Sequence, residues 1–455
     1  MYEVEVPRRP LAALAGVLTA EQADGLRAVA ASSAAALSGR TVWNVNSTAT
    51  GGGVAEMLRS LLGYVHDAGV RSRWLVLSGD PLFFALTKRL HNAIHGADHA
   101  PAPTDSDRAH YEEVLAGRNL PALLDLVGPR DVVILHDPQA AGLVVPLRKA
   151  GIPVIWRCHI GRDTPNATSE AAWDFLRPYV EPVDAAVFSR RQYAPAWLAP
   201  DRISVIPPSI DPLSEKNRPI DPAERLRILL GAGLLADDDT ARRTDAMGNT
   251  SPAPADARLV VQVSRWDRLK DMPGVIAGFA KADVPDDVHL MLVGPDVTGV
   301  VDDPEGGEVL AQCLATWQQL PGPLRDRVHL ASVPMADTEQ NARIVNAIQR
   351  HAAAVAQKSL AEGFGLTVAE AMWKSRPVVA SDVGGIQDQI HDGHDGLLIT
   401  EPRDLDAFGD AVARLLADPA LAQRLGDTAH ETVRTRFLGD RHLEQYAALL
   451  QSVLA

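Results

Sequence analysis

The chain has 455 residues, 46% of them hydrophobic and 22% charged, with a formal net charge of −14. That length exceeds one ordinary core and predicts two domains, while the acidic balance argues against a nucleic acid or an anionic membrane as partner, since both need a basic face. Only two cysteines occur, Cys158 and Cys313, with no CxxC spacing, which fits a reducing cytosol and excludes a disulfide scaffold or a cysteine-rich zinc site. The opening MYEVEVPRRP is charged and proline-broken, without a leader pattern. No apolar run approaches the ~18 residues a spanning helix needs. A cytoplasmic location is expected.

Residues 1–40 form an Ala-rich lead-in that predicts helix. Short β-branched runs then alternate with amphipathic stretches, the pattern of a parallel sheet covered by helices. TVWNVN (41–46), RWLVLS (73–78), DVVILHD (131–137), PVIWRCH (153–159), AAVFS (185–189) and RISVIPP (202–208) read as strands of a first domain over 41–212. The proline-rich PPSIDPLSEKNRPIDP marks the junction. ARLVVQVSR (257–265), VHLMLVG (288–294), RVHLASV (327–333), AAAVAQKS (352–359), PVVASD (377–382) and GLLIT (396–400) supply a second set over 213–435. The polar stretch 236–257 predicts a mobile surface insertion. A last helix over 436–455 is expected to pack back on the first domain.

In two open α/β domains the ends of the strands carry the ligand chemistry. After the first strand comes STATGGGVAEML, with Gly51, Gly52 and Gly53 at a strand-to-helix turn. Such a turn lets the backbone approach an anion at a helix N-terminus, or is simply tight; it is not GxGxxG. In SRWDRLKD, Arg265 and Lys270 stand five apart. They suit a diphosphate, or pair with Asp267 or Asp271 in a solvated loop. In LAEGFGLTVAEAMWKS the helix is predicted to start near Leu366, with Glu362 on the loop before it and Glu370 in its first turns. The N–H groups of Phe364, Gly365 and Leu366 then face outward at a positive helix end. A sugar nucleotide fits that set, with one carboxylate for sugar hydroxyls and one for the ribose diol; the alternative for Glu370 is an ordinary surface acid. His91 and His95, at i and i+4, read as a helix face rather than as metal ligands.

The Gly-rich loop, the R-x4-K pair Arg265/Lys270 and the E-x7-E pair Glu362/Glu370, in that order, resemble the retaining glycosyltransferases of the GT-B fold. That resemblance implies two Rossmann-like doubly wound domains facing a central cleft. NSTATGGGVAEML, HDPQ, WRCHI, PPSIDPLSEKN, EGFGLTVAEAMWK and VGGIQDQI resemble more closely the trehalose glycosyltransferring synthase family, over roughly residues 40 to 450. The family implies transfer of glucose from ADP-, UDP- or GDP-glucose to free glucose, giving α,α-trehalose, with the physiological direction open. It implies that Arg265 and Lys270 neutralise the departing diphosphate, that Glu362 binds the donor hexose, and that Glu370 holds the ribose. Gly363, Phe364, Gly365 and Leu366 would complete the donor site, and the loop at Gly52 and Gly53 would close over the phosphates. Asp137 and Gln139 would line the acceptor side, and His159 would sit near the donor sugar.

No tightly bound cofactor is implied, although Mg2+ can accompany the nucleotide, and a homodimer is expected. Extra residues before Trp173 and the two arginines of SRRQYAPAW depart from the pattern and put the acceptor in question. Three readings follow: glucosyl transfer to glucose or a related sugar, phosphorolysis of trehalose, and non-catalytic sugar-nucleotide binding. The complete set of Arg265, Lys270, Glu362 and Glu370 disfavours the last. No protein nucleophile announces itself, so retention is expected through front-side attack, with the leaving phosphate taking the acceptor proton.

Overall fold

The computed structural model describes residues 1–50, 52–97, 100–236, 249–297 and 304–454. Its chain divides into two compact units, residues 1–211 with 437–455, and residues 212–436.

The first unit is built on seven strands: β1 (Tyr2–Val4), β2 (Val42–Asn46), β3 (Ser72–Val76), β4 (Val132–His136), β5 (Val154–Cys158), β6 (Ala185–Phe188) and β7 (Ile203–Val205). They lie in the order β1-β3-β2-β4-β5-β6-β7. Every pairing is parallel except that of β1 with β3. Residues of β2, β4 and β5 are buried at every position, as a parallel sheet covered on both faces requires. Trp43, Trp74 and Trp156 are enclosed there.

One feature departs from the sequence reading, and the placement of the last helix agrees with it. The lead-in is helical over Leu11–Ala15 and Ala20–Ala36, but Tyr2–Val4 is a strand; three residues are too few for any period, and edge pairing to Trp74–Val76 makes the strand. Helix Gly439–Leu454 belongs to this unit. Asp440 Oδ2 accepts from Gln22 Nε2 at 3.1 Å, and Arg441 donates to the Pro207 and Pro208 carbonyls at 2.8 and 2.9 Å.

The second unit carries a two-stranded pair, β8 (Leu235–Ala236) and β9 (Ala253–Pro254), and a main sheet. The main strands are β10 (Arg258–Val263), β11 (Val288–Pro295), β12 (Val328–Val333), β13 (Ala354–Gln357), β14 (Val378–Ser381) and β15 (Leu397–Ile399). They run in the order β12-β11-β10-β13-β14-β15, all parallel. In the stretch read as a mobile insertion, residues 237–248 lie outside the described residues, but the remainder is docked. Thr250 N donates to Leu330 O at 3.0 Å, Thr250 Oγ1 accepts from Leu330 N at 2.9 Å, and His329 Nδ1 meets Ser251 O at 2.8 Å. These bonds cover β12, an edge strand whose open groups need a partner. Among the described residues no helix is long and apolar enough to cross a membrane.

Candidate active site

Both sheets reverse their strand order at one place, and ligands of open α/β sheets bind outside the carboxyl ends of the strands there. In the second unit the reversal falls between β10 and β13. β10 carries a buried glutamine, Gln262, one residue before its end, and β13 ends in another, Gln357. Gln262 Oε1 accepts from Lys358 N at 3.0 Å, and its Nε2 donates to Lys270 O at 2.9 Å. Gln357 Nε2 donates to Ser359 Oγ at 3.0 Å, and its Oε1 accepts from Thr367 Oγ1 at 2.9 Å. The two amides therefore hold the loop after β10, the loop after β13 and the helix that follows.

Held between them is an ion pair. Lys270 Nζ donates to Glu362 Oε2 at 2.5 Å, with side-chain exposures of 13% and 9%. Ser359 Oγ reaches the same carboxylate oxygen at 3.3 Å. Lys358, fully buried, pairs with Asp271, whose left-handed backbone (φ 46°) starts helix Met272–Phe279 directly after Lys270. Arg265 is not brought to this pair: its guanidinium donates to Asp267 at 2.8 Å and is 63% exposed, the arrangement of a solvated loop.

Helix Leu366–Trp373 starts after Gly365, whose φ of 85° explains the glycine. Gly385 is equally required: a Cβ there would stand 2.6 Å from Phe364 Cα. Gln389 Nε2 donates to the Phe364 carbonyl, and Gly385 N donates to Glu362 O at 3.3 Å. The VGGIQDQ turn thus braces the Gly363–Leu366 segment. Glu370 is not the surface acid that its position allowed. It is 3% exposed, and Lys216 Nζ stands 3.6 Å from its Oε1.

Lys216 belongs to the SEKN stretch, which the sequence presented as a linker without a period. In the structure Lys374 Nζ donates to Asn217 Oδ1 at 3.0 Å, Glu215 pairs with Arg343 at 2.7 Å, and Arg350 donates to Asn217 O at 2.8 Å. Gln262, Gln357, Lys216 and Lys358 are the residues that sequence reasoning missed. A lone polar residue at or next to the end of an apolar run, as in LVVQV and AVAQ, was the available signal for the glutamines.

In the first unit the reversal falls between β2 and β4. Gly52, φ 81°, starts helix Gly53–Asp67 after β2; Gly51 lies outside the described residues. Asp137 follows β4 with a φ of 61°, unusual for a residue with a side chain. Its Oδ1 accepts from His159 N at 2.7 Å. His159 stacks on His136, ring centroids 5.3 Å apart, and the rings bond at 3.0 Å. The structure therefore brings Asp137 and His159 together. Gln139 lies two residues on, and its Oε1 is buried with no hydrogen-bond partner among the described residues. Burial raises the Asp137 carboxyl to about 7, against the opposing His159 N–H and Arg157 guanidinium. Burial and Arg157 hold His136 down at about 3 and His159 well below the usual range, so both rings are neutral. Among the described residues no group of three or more His, Cys, Asp or Glu side chains could hold a metal ion.

Residues 44–195 match the family described as "Trehalose synthase, N-terminal domain", and residues 245–432 match "Glycosyl transferases group 1". A trehalose synthase from Rubrobacter xylanophilus is 38% identical, covering 92% of this chain and 92% of its own. One from Pyrococcus horikoshii is 36% identical, covering 92% of this chain and 91% of its own. The chain belongs to the trehalose synthase family. It is a hexosyltransferase with the two-domain GT-B fold. An α,α-trehalose-phosphate synthase (UDP-forming) from Burkholderia vietnamiensis shares that fold, with a TM-score of 0.68 over 91% of this chain and 97% of that one, at 18% identity. A trehalose phosphorylase from Pleurotus pulmonarius is more distant, 25% identical over 90% of this chain and 56% of its own.

Proposed function

We propose that this hexosyltransferase moves a glucosyl group, with retention, from a nucleoside-diphosphate glucose to free glucose, forming α,α-trehalose. The observation that carries the proposal is the Lys270–Glu362 ion pair at the strand reversal of the second sheet. A cation and a carboxylate there offer one partner to a diphosphate and one to sugar hydroxyls. Arg265 swings from Asp267 to share the phosphate charge, as its exposure permits. Glu370, buried beside Lys216, takes the ribose diol. In the first unit, Asp137 and the Gln139 amide oxygen accept from the hydroxyls of the acceptor.

The bond from the anomeric carbon to the β-phosphate oxygen breaks as the acceptor hydroxyl attacks on the same face, and its proton passes to the departing phosphate. Negative charge grows on that phosphate in the transition state, so cations placed on it lower the barrier rather than merely tightening binding. The neutral rings of His136 and His159 supply shape and hydrogen bonds, not a proton. We propose no tightly held cofactor, with Mg2+ entering only on the nucleotide.

The test is product analysis. Glucose with ADP-, UDP- or GDP-glucose should give trehalose and the nucleoside diphosphate, and trehalose with inorganic phosphate should give nothing. Glucose 1-phosphate from the second mixture would replace this reading with phosphorolysis.

A further inference from the structure

A cavity of about 110 Å³ lies in the first unit between its sheet and four helices, Leu11 of helix Leu11–Ala15 among its lining. Leu26 and Ala30 of helix Ala20–Ala36, Leu61 of helix Gly53–Asp67, Ala447 and Leu450 of helix Gly439–Leu454, and Ile134 of β4 form its apolar walls. Among the described residues that line it there is no Asp, Glu, Lys or Arg. Its size approaches the ~150 Å³ of an apolar protein cavity that holds benzene.

Three buried polar atoms, on Ser33, Asn44 and Ser72, make the walls more than an apolar gap. Ser33 Oγ, Asn44 Nδ2 and Ser72 Oγ have no hydrogen-bond partner among the described residues, although all three residues are buried, Asn44 most deeply at 3% exposed, and all line the cavity. Unmade bonds of that kind are costly, so each calls for a partner.

A directed chain of hydrogen bonds fixes what Asn44 presents. Arg157 Nε can only donate, and it meets His159 Nδ1 at 3.4 Å. In the neutral ring the proton is then on Nε2, which donates to His136 Nδ1 at 3.0 Å. His136 in turn carries its proton on Nε2 and donates to Asn44 Oδ1 at 3.2 Å. The Asn44 oxygen is thereby committed to His136, and its NH2 is the group left for the cavity. The guanidinium at one end sets a donor at the other.

We infer that this cavity binds a small uncharged molecule with an apolar body and one hydrogen-bond acceptor, its acceptor taken by Asn44 Nδ2. A charged ligand is excluded because the walls hold no counter-charge to repay its desolvation. Water could satisfy the amide but would leave the apolar walls without contacts.

The experiment uses the full chain and two probes of similar size, cyclohexanone, which carries an acceptor oxygen, and toluene, which does not. Crystals exposed to each, with affinities from ligand-observed NMR, should show cyclohexanone in the cavity with its oxygen on Asn44, and binding at least about tenfold tighter than toluene. Ala30→Phe should abolish that binding. Ala447→Met is the second filling variant, and thermal unfolding shows which of the two folds. Density for water alone, equal affinity for the two probes, or binding that survives in a folded filling variant would overturn the inference.

Discussion

Lys216 Nζ stands 3.6 Å from Glu370 Oε1, joining the stretch that opens the second unit to the second acid of the E-x7-E pair. The acid is almost fully buried, so this cation helps to balance a desolvated charge as well as to orient it. Lys216→Met should lower stability by about 1 kcal/mol or more, and Glu370→Gln added to it should recover part of that loss. Thermal unfolding of the single and double variants reads both effects. Glu370→Ala should raise the KM for the nucleotide donor while changing kcat less. An unchanged KM removes its ribose role.

Arg265 and Lys270 separate stability from catalysis because their settings differ. Among the described residues Arg265 makes one ion pair, with its own guanidinium exposed, and such pairs contribute about 0–1 kcal/mol. Arg265→Ala should therefore leave the Tm nearly unchanged while kcat falls by about two decades, roughly 3 kcal/mol of transition-state stabilisation. Wild-type kcat in this variant would leave Arg265 the solvated loop residue that its contact with Asp267 depicts.

Lys270→Ala should lower both quantities, since it also removes the cation bonded to the buried Glu362 carboxylate. Adding Glu362→Gln should restore Tm without restoring kcat. Recovery of both would make the pair structural.

Asp137 predicts a specific pH profile. Its carboxyl is raised from 3.8 to about 7 in the folded chain, so between those values the folded protein binds the proton and the unfolded chain does not. Stability from this group falls as pH rises through that window and is constant above it. Denaturant unfolding from pH 4 to 8 should show Asp137→Asn gaining on the wild type up to about pH 7, with no further gain beyond. Parallel profiles across the range would exclude the shift.

Lys358 is fully buried against Asp271, and removing one member of a buried pair costs about 3–5 kcal/mol. Lys358→Met should lose stability on that scale, and Asp271→Asn in the same chain should return much of it. Calorimetric unfolding decides; additive losses would mean that the two side chains do not act on each other.

The sequence disclosed what depends on local pattern. Runs such as VVILH and VVQV are strands because both faces of a parallel sheet are buried, and Gly365 announces the helix at Leu366 because few other residues adopt its φ. What it hid depends on partners distant in the chain. Tyr2–Val4 is a strand only because the edge of Ser72–Val76 lies open beside it. Asn249–Ser251 is ordered by β12, although its composition reads as solvated. Lys216 looks like a linker residue until helix Thr338–His351 and Lys374 fix the stretch around it. Arg265 and Lys270 are equivalent cations in the sequence, and only the Gln262 bond to the Lys270 carbonyl and the position of Glu362 distinguish them.

Because helix Gly439–Leu454 completes the first unit, that unit cannot finish folding on the ribosome until residues 437–455 have emerged. Residues 212–436 are contiguous and can close their own core earlier. The half of the molecule made first is therefore the last to mature, and until then the apolar side of its sheet and helix Ala20–Ala36 wait for the covering helix. A nascent chain arrested before residue 437 would carry a finished second unit and an unfinished first, the species for which chaperones would compete.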